Sequence, residues 1–354
     1  MANFHEHLII NRWLLSLFNQ RDLHAFKERL GDDRFVGIDE ETGQTRFFEQ
    51  LNNSIFHTDA LPVHDLRRYD LHIIAHWRSI TAWRNRQEGH ILQMKYFQYL
   101  SLLFTEIYLD WYFNRREELL AALNDTLQRY RQEKESRELQ PYIARDLNRI
   151  AFWNATGSGK TLLMHVNILQ FRHYCQGKMD KTIILTPNEG LSRQHVEELM
   201  LSGLHGVLFD KDRSQNSDVT DIEVIDINKL TESKGKNTVT VTVEAFAGRN
   251  LVLVDEGHRG TSGEAWMQRR EALIGSGFAF EYSATFGQAV AKGKTVAEQE
   301  EDMRKKKAKW MFGTSSLKKL DDAQQAQLAL STAEKAEARQ DALFEVYAKA
   351  MLFD

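Results

Sequence analysis

The chain is 354 residues long, 42% hydrophobic and 27% charged, with a formal net charge of −4. This composition excludes wholesale disorder, and the length allows two domains of ordinary size. The charge excludes a globally basic nucleic-acid binder, so any such contact has to come from local patches.

The first eighteen residues, MANFHEHLIINRWLLSLF, carry His5, Glu6, His7 and Arg12 and lack the basic start and small-residue cleavage site of a signal peptide. No uninterrupted apolar run reaches the roughly 18 residues of a transmembrane helix. The single cysteine, Cys175, allows no intramolecular disulfide and no cysteine-based zinc cluster, and fits a reducing compartment. The expectation is a cytoplasmic protein with no membrane partner.

Residues 1–140 are rich in aromatics, with apolar residues at helical spacing, which predicts an α-helical N-terminal domain. KYFQYLSLLFTEIYLDWYFNRREELLAAL, residues 95–123, is apolar on most faces and predicts a central helix packed on several sides. Trp77, Trp83 and Trp111 are expected in the core. His72 and His76 in HIIAH stand four apart, but isoleucine occupies the position where a zinc-protease helix needs glutamate, so both read as packing or surface histidines. RYRQEKESRELQP, residues 129–141, reads as a linker or exposed helix end and sets a boundary near 140.

From residue 141 to 290, short apolar runs alternate with helical stretches: RIAFW, KTIILT, IEVIDI, TVTVTV, LVLVD and FAFEYS. That alternation predicts an α/β domain with a mostly parallel sheet, which binds ligands at the carboxyl ends of its strands. After Phe286 no further strand is expected, and residues 291–354 read as a helical connector. Its basic cluster, Arg304 to Lys309 followed by Trp310, reads most simply as a solvated helix face, the alternative being phosphate contacts with the tryptophan stacked on a base. The apolar LFEVYAKAMLFD, residues 343–354, needs a packing partner and suggests a chain cut within a larger protein. The triplet Glu232 to Lys234 has the E-x-K form of a nuclease fragment, but without a placed acidic partner it predicts no nuclease.

Two motifs carry chemistry. In WNATGSGKTLL an apolar strand leads through glycines into a helix, the context of a loop that binds phosphates. Ala155, Thr156, Gly157, Ser158, Gly159, Lys160 and Thr161 are the expected ATP contacts. Lys160 would reach the β and γ phosphates and Thr161 would ligate Mg²⁺. Asn154 stands where the generic pattern has glycine. In LVLVDEGH, Asp255 is the expected second Mg²⁺ ligand and Glu256 the group that orients and deprotonates the attacking water. An aspartate after a strand is also a common helix cap, but beside the phosphate-binding motif the two segments are complementary halves of one nucleotide site.

The order ATGSGKT, TPNEGLSRQ, DEGH, SAT resembles the first RecA-like domain of superfamily 2 helicases of the DExH group, and most closely the motor subunits of type III and type I restriction enzymes. The resemblance covers residues 150–286 and implies a RecA-like P-loop NTPase fold. It implies that Thr186, Pro187 and Gln194 line a nucleic-acid backbone track, and that His258, Ser283, Ala284 and Thr285 couple hydrolysis to domain movement. It further implies an ATP-driven DNA helicase or translocase. A second RecA-like domain supplying an arginine is expected beyond this chain, with a nuclease or methyltransferase as a possible partner. Gln140 is a loose candidate for the family's adenine-reading glutamine. Two other functions stay open: an RNA helicase of the same superfamily, and an ATP-binding interaction module with little turnover.

Overall fold

A computed structural model describes residues 4–52, 54–133, 139–209, 221–231, 241–242, 246, 248–256, 264–284 and 342–353. Its first half is helical: α1 (Ile9–Leu17), α2 (His24–Leu30), α3 (Arg46–Leu51), α4 (Val63–Glu88), α5 (Tyr96–Asn114) and α6 (Arg116–Glu133). α4 stops at Gly89, whose φ of 68° closes the helix through its N–H to Asn85 O. α5 is enclosed on every side, with each residue from Gln98 to Tyr112 buried. The stretch read as one helix is two, because the chain leaves helical geometry at Arg115 (φ −142°, ψ 46°). There the Arg115 guanidinium lies 4.3 Å from the Trp111 ring centroid and 3.1 Å from Asp110.

The second half builds β1 (Arg149–Trp153), α7 (Lys160–Cys175), β2 (Lys181–Thr186), α8 (Glu189–Leu201), β3 (Gly206–Leu208), β4 (Ile222–Asp226), β5 (Leu230–Thr231), β6 (Val241–Thr242), β7 (Asn250–Asp255), α9 (Glu264–Ile274), β8 (Phe278–Ser283) and β9 (Met351–Phe353). Seven strands form one sheet in the order β3-β4-β2-β7-β8-β1-β9, and every pairing in it is parallel. Of the TVTVTV run, Val241–Thr242 lies among the described residues and pairs with β5 in a separate two-stranded sheet.

Side chains of successive strand residues point to opposite faces, and the sequence supplies both faces with apolar groups. Leu251 and Leu253 join the core shared with α7, while Val252 and Val254 join a smaller cluster with Phe246, Leu273 and Ile274. This double burial is why these strands read as continuous apolar runs. The larger core runs without a break from α1, α4, α5 and α6 into α7 and the sheet. α7 packs directly on α4 and α5. The helical layer thus forms one wall of the core beneath the sheet. Trp77 and Trp111 are buried in it, whereas Trp83 is exposed.

The expectation that strands end after Phe286 is overturned. Residues 342–350 are helical and lead into β9, which pairs with β1 along Ala151↔Met351, Phe152↔Leu352 and Trp153↔Phe353. Leu343, Tyr347, Met351 and Leu352 find their packing partner in the main core. A polar knot anchors them: Arg270 and Glu281, both fully buried, meet at 2.9 Å, and the Tyr347 hydroxyl donates to Glu281 Oε2 at 3.1 Å. Arg149 pairs with the other Glu281 oxygen at 2.8 Å and also with Glu271. The basic cluster at 304–310 and the Glu232 to Lys234 triplet lie outside the described residues. The chain adopts the α/β class read from its sequence: a parallel sheet flanked by helices and preceded by a helical layer.

Candidate functional site

Parallel pairing brings the ends of four strands together. β2, β7, β8 and β1 lie side by side, with Leu185 opposite Val254, Asp255 opposite Tyr282 and Ser283 opposite Trp153. The segments that follow these strands therefore meet at one edge of the sheet. Asn154, buried where the generic motif has glycine, donates its backbone N–H to Ser283 O at 3.1 Å, and Trp153 Nε1 donates to Ala284 O at 3.2 Å. The glycine-rich loop and the SAT segment are thus stitched together at their roots. His258 and Thr285 lie outside the described residues.

The loop itself is built for close backbone approach. Gly157 and Gly159 have φ of +83° and +86°, a region glycine enters without penalty. Ala155, Thr156 and Gly157 are exposed and Ser158 is buried. α7 begins at Lys160, so the first-turn N–H groups and Thr161 stand at a helix N-terminus, where anions are favoured.

Lys160 Nζ lies 2.8 Å from Asp255 Oδ1 and 2.8 Å from Glu256 Oε1, joining two segments 96 residues apart. Burial works against the ammonium, yet the two carboxylates hold its pKa above the usual lysine value. Burial likewise opposes ionisation of Asp255, but the hydrogen bond with His195 and the charge of Lys160 outweigh it and bring the carboxyl down to about 2. Glu256 has φ +54°, an unusual backbone for a non-glycine residue, and its N–H donates to Asp255 Oδ1 at 2.9 Å. Such local strain, on the order of 1–3 kcal/mol, concentrates at functional positions.

His195 has no counterpart among the residues expected from the sequence. It is buried in α8, with Nε2 3.0 Å from Asp255 Oδ2. α8 starts where it does because Asn188 caps it, accepting from Leu191 N at 3.0 Å. Thr186, expected on the nucleic-acid track, is buried with its hydroxyl 2.6 Å from Ser192 Oγ, inside the same turn. Pro187 is half-buried and Gln194 is exposed on α8. Gln140 is exposed, and its backbone N–H donates to Glu345 at 3.2 Å. From the helical layer, Gln98 reaches the glycine-rich loop and donates to Ser158 O at 2.8 Å. His72, His76 and Glu106 gather with His173, yet among the described residues no group of three or more such side chains is placed to hold a metal ion. No described helix is long and apolar enough to cross a membrane.

Residues 125–288 match the family described as "Type III restriction enzyme, res subunit". No curated protein gives a significant sequence match. Among solved structures, the chain is similar to the Sulfolobus solfataricus SWI2/SNF2 ATPase core in complex with dsDNA at 14% identity and a TM-score of 0.31, covering 62% of this chain and 44% of that one. It is similar to the UvsW helicase from Bacteriophage T4 at 13% identity and a TM-score of 0.31, covering 75% of this chain and 87% of that one. The chain thus spans less than half the length of the SWI2/SNF2 core.

Proposed function

From the match of residues 125–288 to the type III restriction res-subunit family we propose that the chain carries the RecA-like domain of a superfamily 2 helicase, the nucleotide-hydrolysing half of a DNA translocase or helicase. The observation that carries this reading is the position of Lys160, 2.8 Å from both Asp255 and Glu256. Carboxylate oxygens spaced to hold an ammonium are spaced to hold a metal cation, and the glycine backbone beside them offers room for a polyphosphate.

Asp255, kept ionised by its surroundings, and Thr161 would hold Mg²⁺. When bound, Mg²⁺ neutralises the phosphate oxygens and favours attack at the terminal phosphorus. Lys160 leaves the carboxylates for the β and γ phosphates, and the amides of residues 155–161 bind the remaining oxygens. Glu256, released from Lys160, orients the attacking water and accepts its proton. His258, Ser283, Ala284 and Thr285 relay the state of the site to neighbouring elements. Pro187, Gln194 and the turn built around Thr186 face the DNA backbone, a contact that does not read sequence. A second RecA-like domain contributes the arginine that completes such motors, and a nuclease or methyltransferase subunit uses the movement.

Steady-state ATP hydrolysis with double-stranded DNA, single-stranded DNA and RNA tests the reading. DNA is expected to stimulate turnover, and Glu256→Gln to lower it by at least about 100-fold while retaining nucleotide binding. Stimulation by RNA alone would reassign the substrate. Tight binding without turnover under every condition would leave an ATP-binding interaction module.

A further inference from the structure

Gln98 lies in the first turn of α5, and its carboxamide is held at both ends. The Lys95 N–H donates to Gln98 Oε1 at 2.9 Å, and Gln98 Nε2 donates to the carbonyl of Ser158 at 2.8 Å. The residue is 8% exposed and stands 60 positions before Ser158. Nothing in its own helix requires that second bond.

A planar trans peptide points its C=O and N–H in opposite directions, and no described peptide bond is cis. The Ser158 carbonyl and the Gly159 N–H belong to one such unit. Anchoring the carbonyl on α5 therefore aims the Gly159 N–H away from α5. The contact is tight: a Cβ on Gly159 would collide with Gln98 Nε2. The peptide unit has no room to rotate toward α5 unless the carboxamide leaves.

We propose that Gln98 is a positioning residue for nucleotide phosphate: by holding Ser158 O it presets the Gly159 N–H as a donor, and it makes the phosphate affinity of the loop depend on the helical layer. The inference rests on the nucleotide reading given above. A donor aimed before the ligand arrives needs no reorganisation on binding, which is where such a contact gains affinity.

Direct titration of the full chain with a fluorescent ADP analogue tests it. Gln98→Glu keeps the length and the acceptor for the Lys95 N–H but sets an acceptor against the Ser158 carbonyl. Gln98→Met keeps the shape and helix propensity and makes neither bond, so it serves if the glutamate variant does not fold. Each is expected to raise Kd roughly tenfold, the order expected for a hydrogen bond to a charged ligand, with the number of binding sites per chain unchanged. A purely structural role would lower the number of sites and the melting temperature and leave Kd alone, which would overturn the inference. Wild-type affinity in both variants would overturn it too, while sparing the nucleotide reading. Failure of the wild-type chain to bind nucleotide would remove both.

Discussion

His195 Nε2 lies 3.0 Å from Oδ2 of Asp255, and both side chains are buried. The contact fastens α8, which starts from the TPNEGL turn, to the carboxyl end of β7. Any ligand that shifts α8 therefore pulls on the carboxylate. His195→Ala is expected to leave nucleotide affinity within about threefold and to lower DNA-stimulated turnover roughly tenfold, as one charge-assisted hydrogen bond warrants. Comparing turnover with and without DNA checks this, and unchanged stimulation would sever the proposed link.

Lys160 acts as an internal counter-ion between Asp255 and Glu256. Replacing it with methionine sets two carboxylates against each other in a half-buried site. Lys160→Met is expected to lose about 1–2 kcal/mol of stability at neutral pH in urea titrations. Mg²⁺ alone should then raise the melting temperature of the variant more than that of the wild type. Equal Mg²⁺ responses would mean that the ammonium does not occupy the cation position.

The fully buried pair Arg270 and Glu281, 2.9 Å apart, locks α9 to β8, and the Tyr347 hydroxyl joins it from the 342–350 helix. Glu281→Gln removes the nearest counter-charge of both Arg270 and Arg149, leaving them Glu271 alone, and is expected to destabilise the fold by about 3–5 kcal/mol. Combining it with Arg270→Met should recover part of that loss. A double variant weaker than the single one in chemical denaturation would show that the pair is not the source.

His165 is buried in α7 against Ser202 Oγ at 2.8 Å, and burial, with His195 and Arg84 nearby, pushes its pKa down to about 3. Below about pH 6.5 the unfolded chain takes up a proton there that the native chain refuses. The native state is thus penalised as pH falls, by up to about 1.4 kcal/mol per pH unit until pH nears the folded value. His165→Gln is expected to flatten stability against pH between 6 and 4, read from urea midpoints. An unchanged slope would place the titration elsewhere.

The sequence declares most of the sheet because β7 and β8 are buried on both faces, and residues such as Leu251 to Val254 satisfy both with one unbroken apolar run. The ends of those strands then place Asp255, Ser283 and the glycine-rich loop at one edge by parallel pairing alone. What stays hidden depends on partners far along the chain. His195 and Gln98 are single polar residues in helices, bonded to groups 60 positions away, and no local periodicity records such a bond. The break between α5 and α6 falls at Arg115, ordinarily a good helix former, whose guanidinium folds back on Asp110 and Trp111 of the preceding turn, and residue type alone does not mark that break. Met351 to Phe353 are too few to signal a strand, and the open flank of β1 makes them one.

That flank has a consequence for synthesis. β1 carries the glycine-rich loop, yet the strand covering its outer side is made about 70 residues after the end of β8. At roughly 5–20 residues per second, β1 waits several seconds on the ribosome with unpaired backbone groups. An uncovered edge is a template for foreign strands. The nascent protein is therefore most exposed to misassembly, and most in need of a chaperone, during the interval when its other strands are already in place.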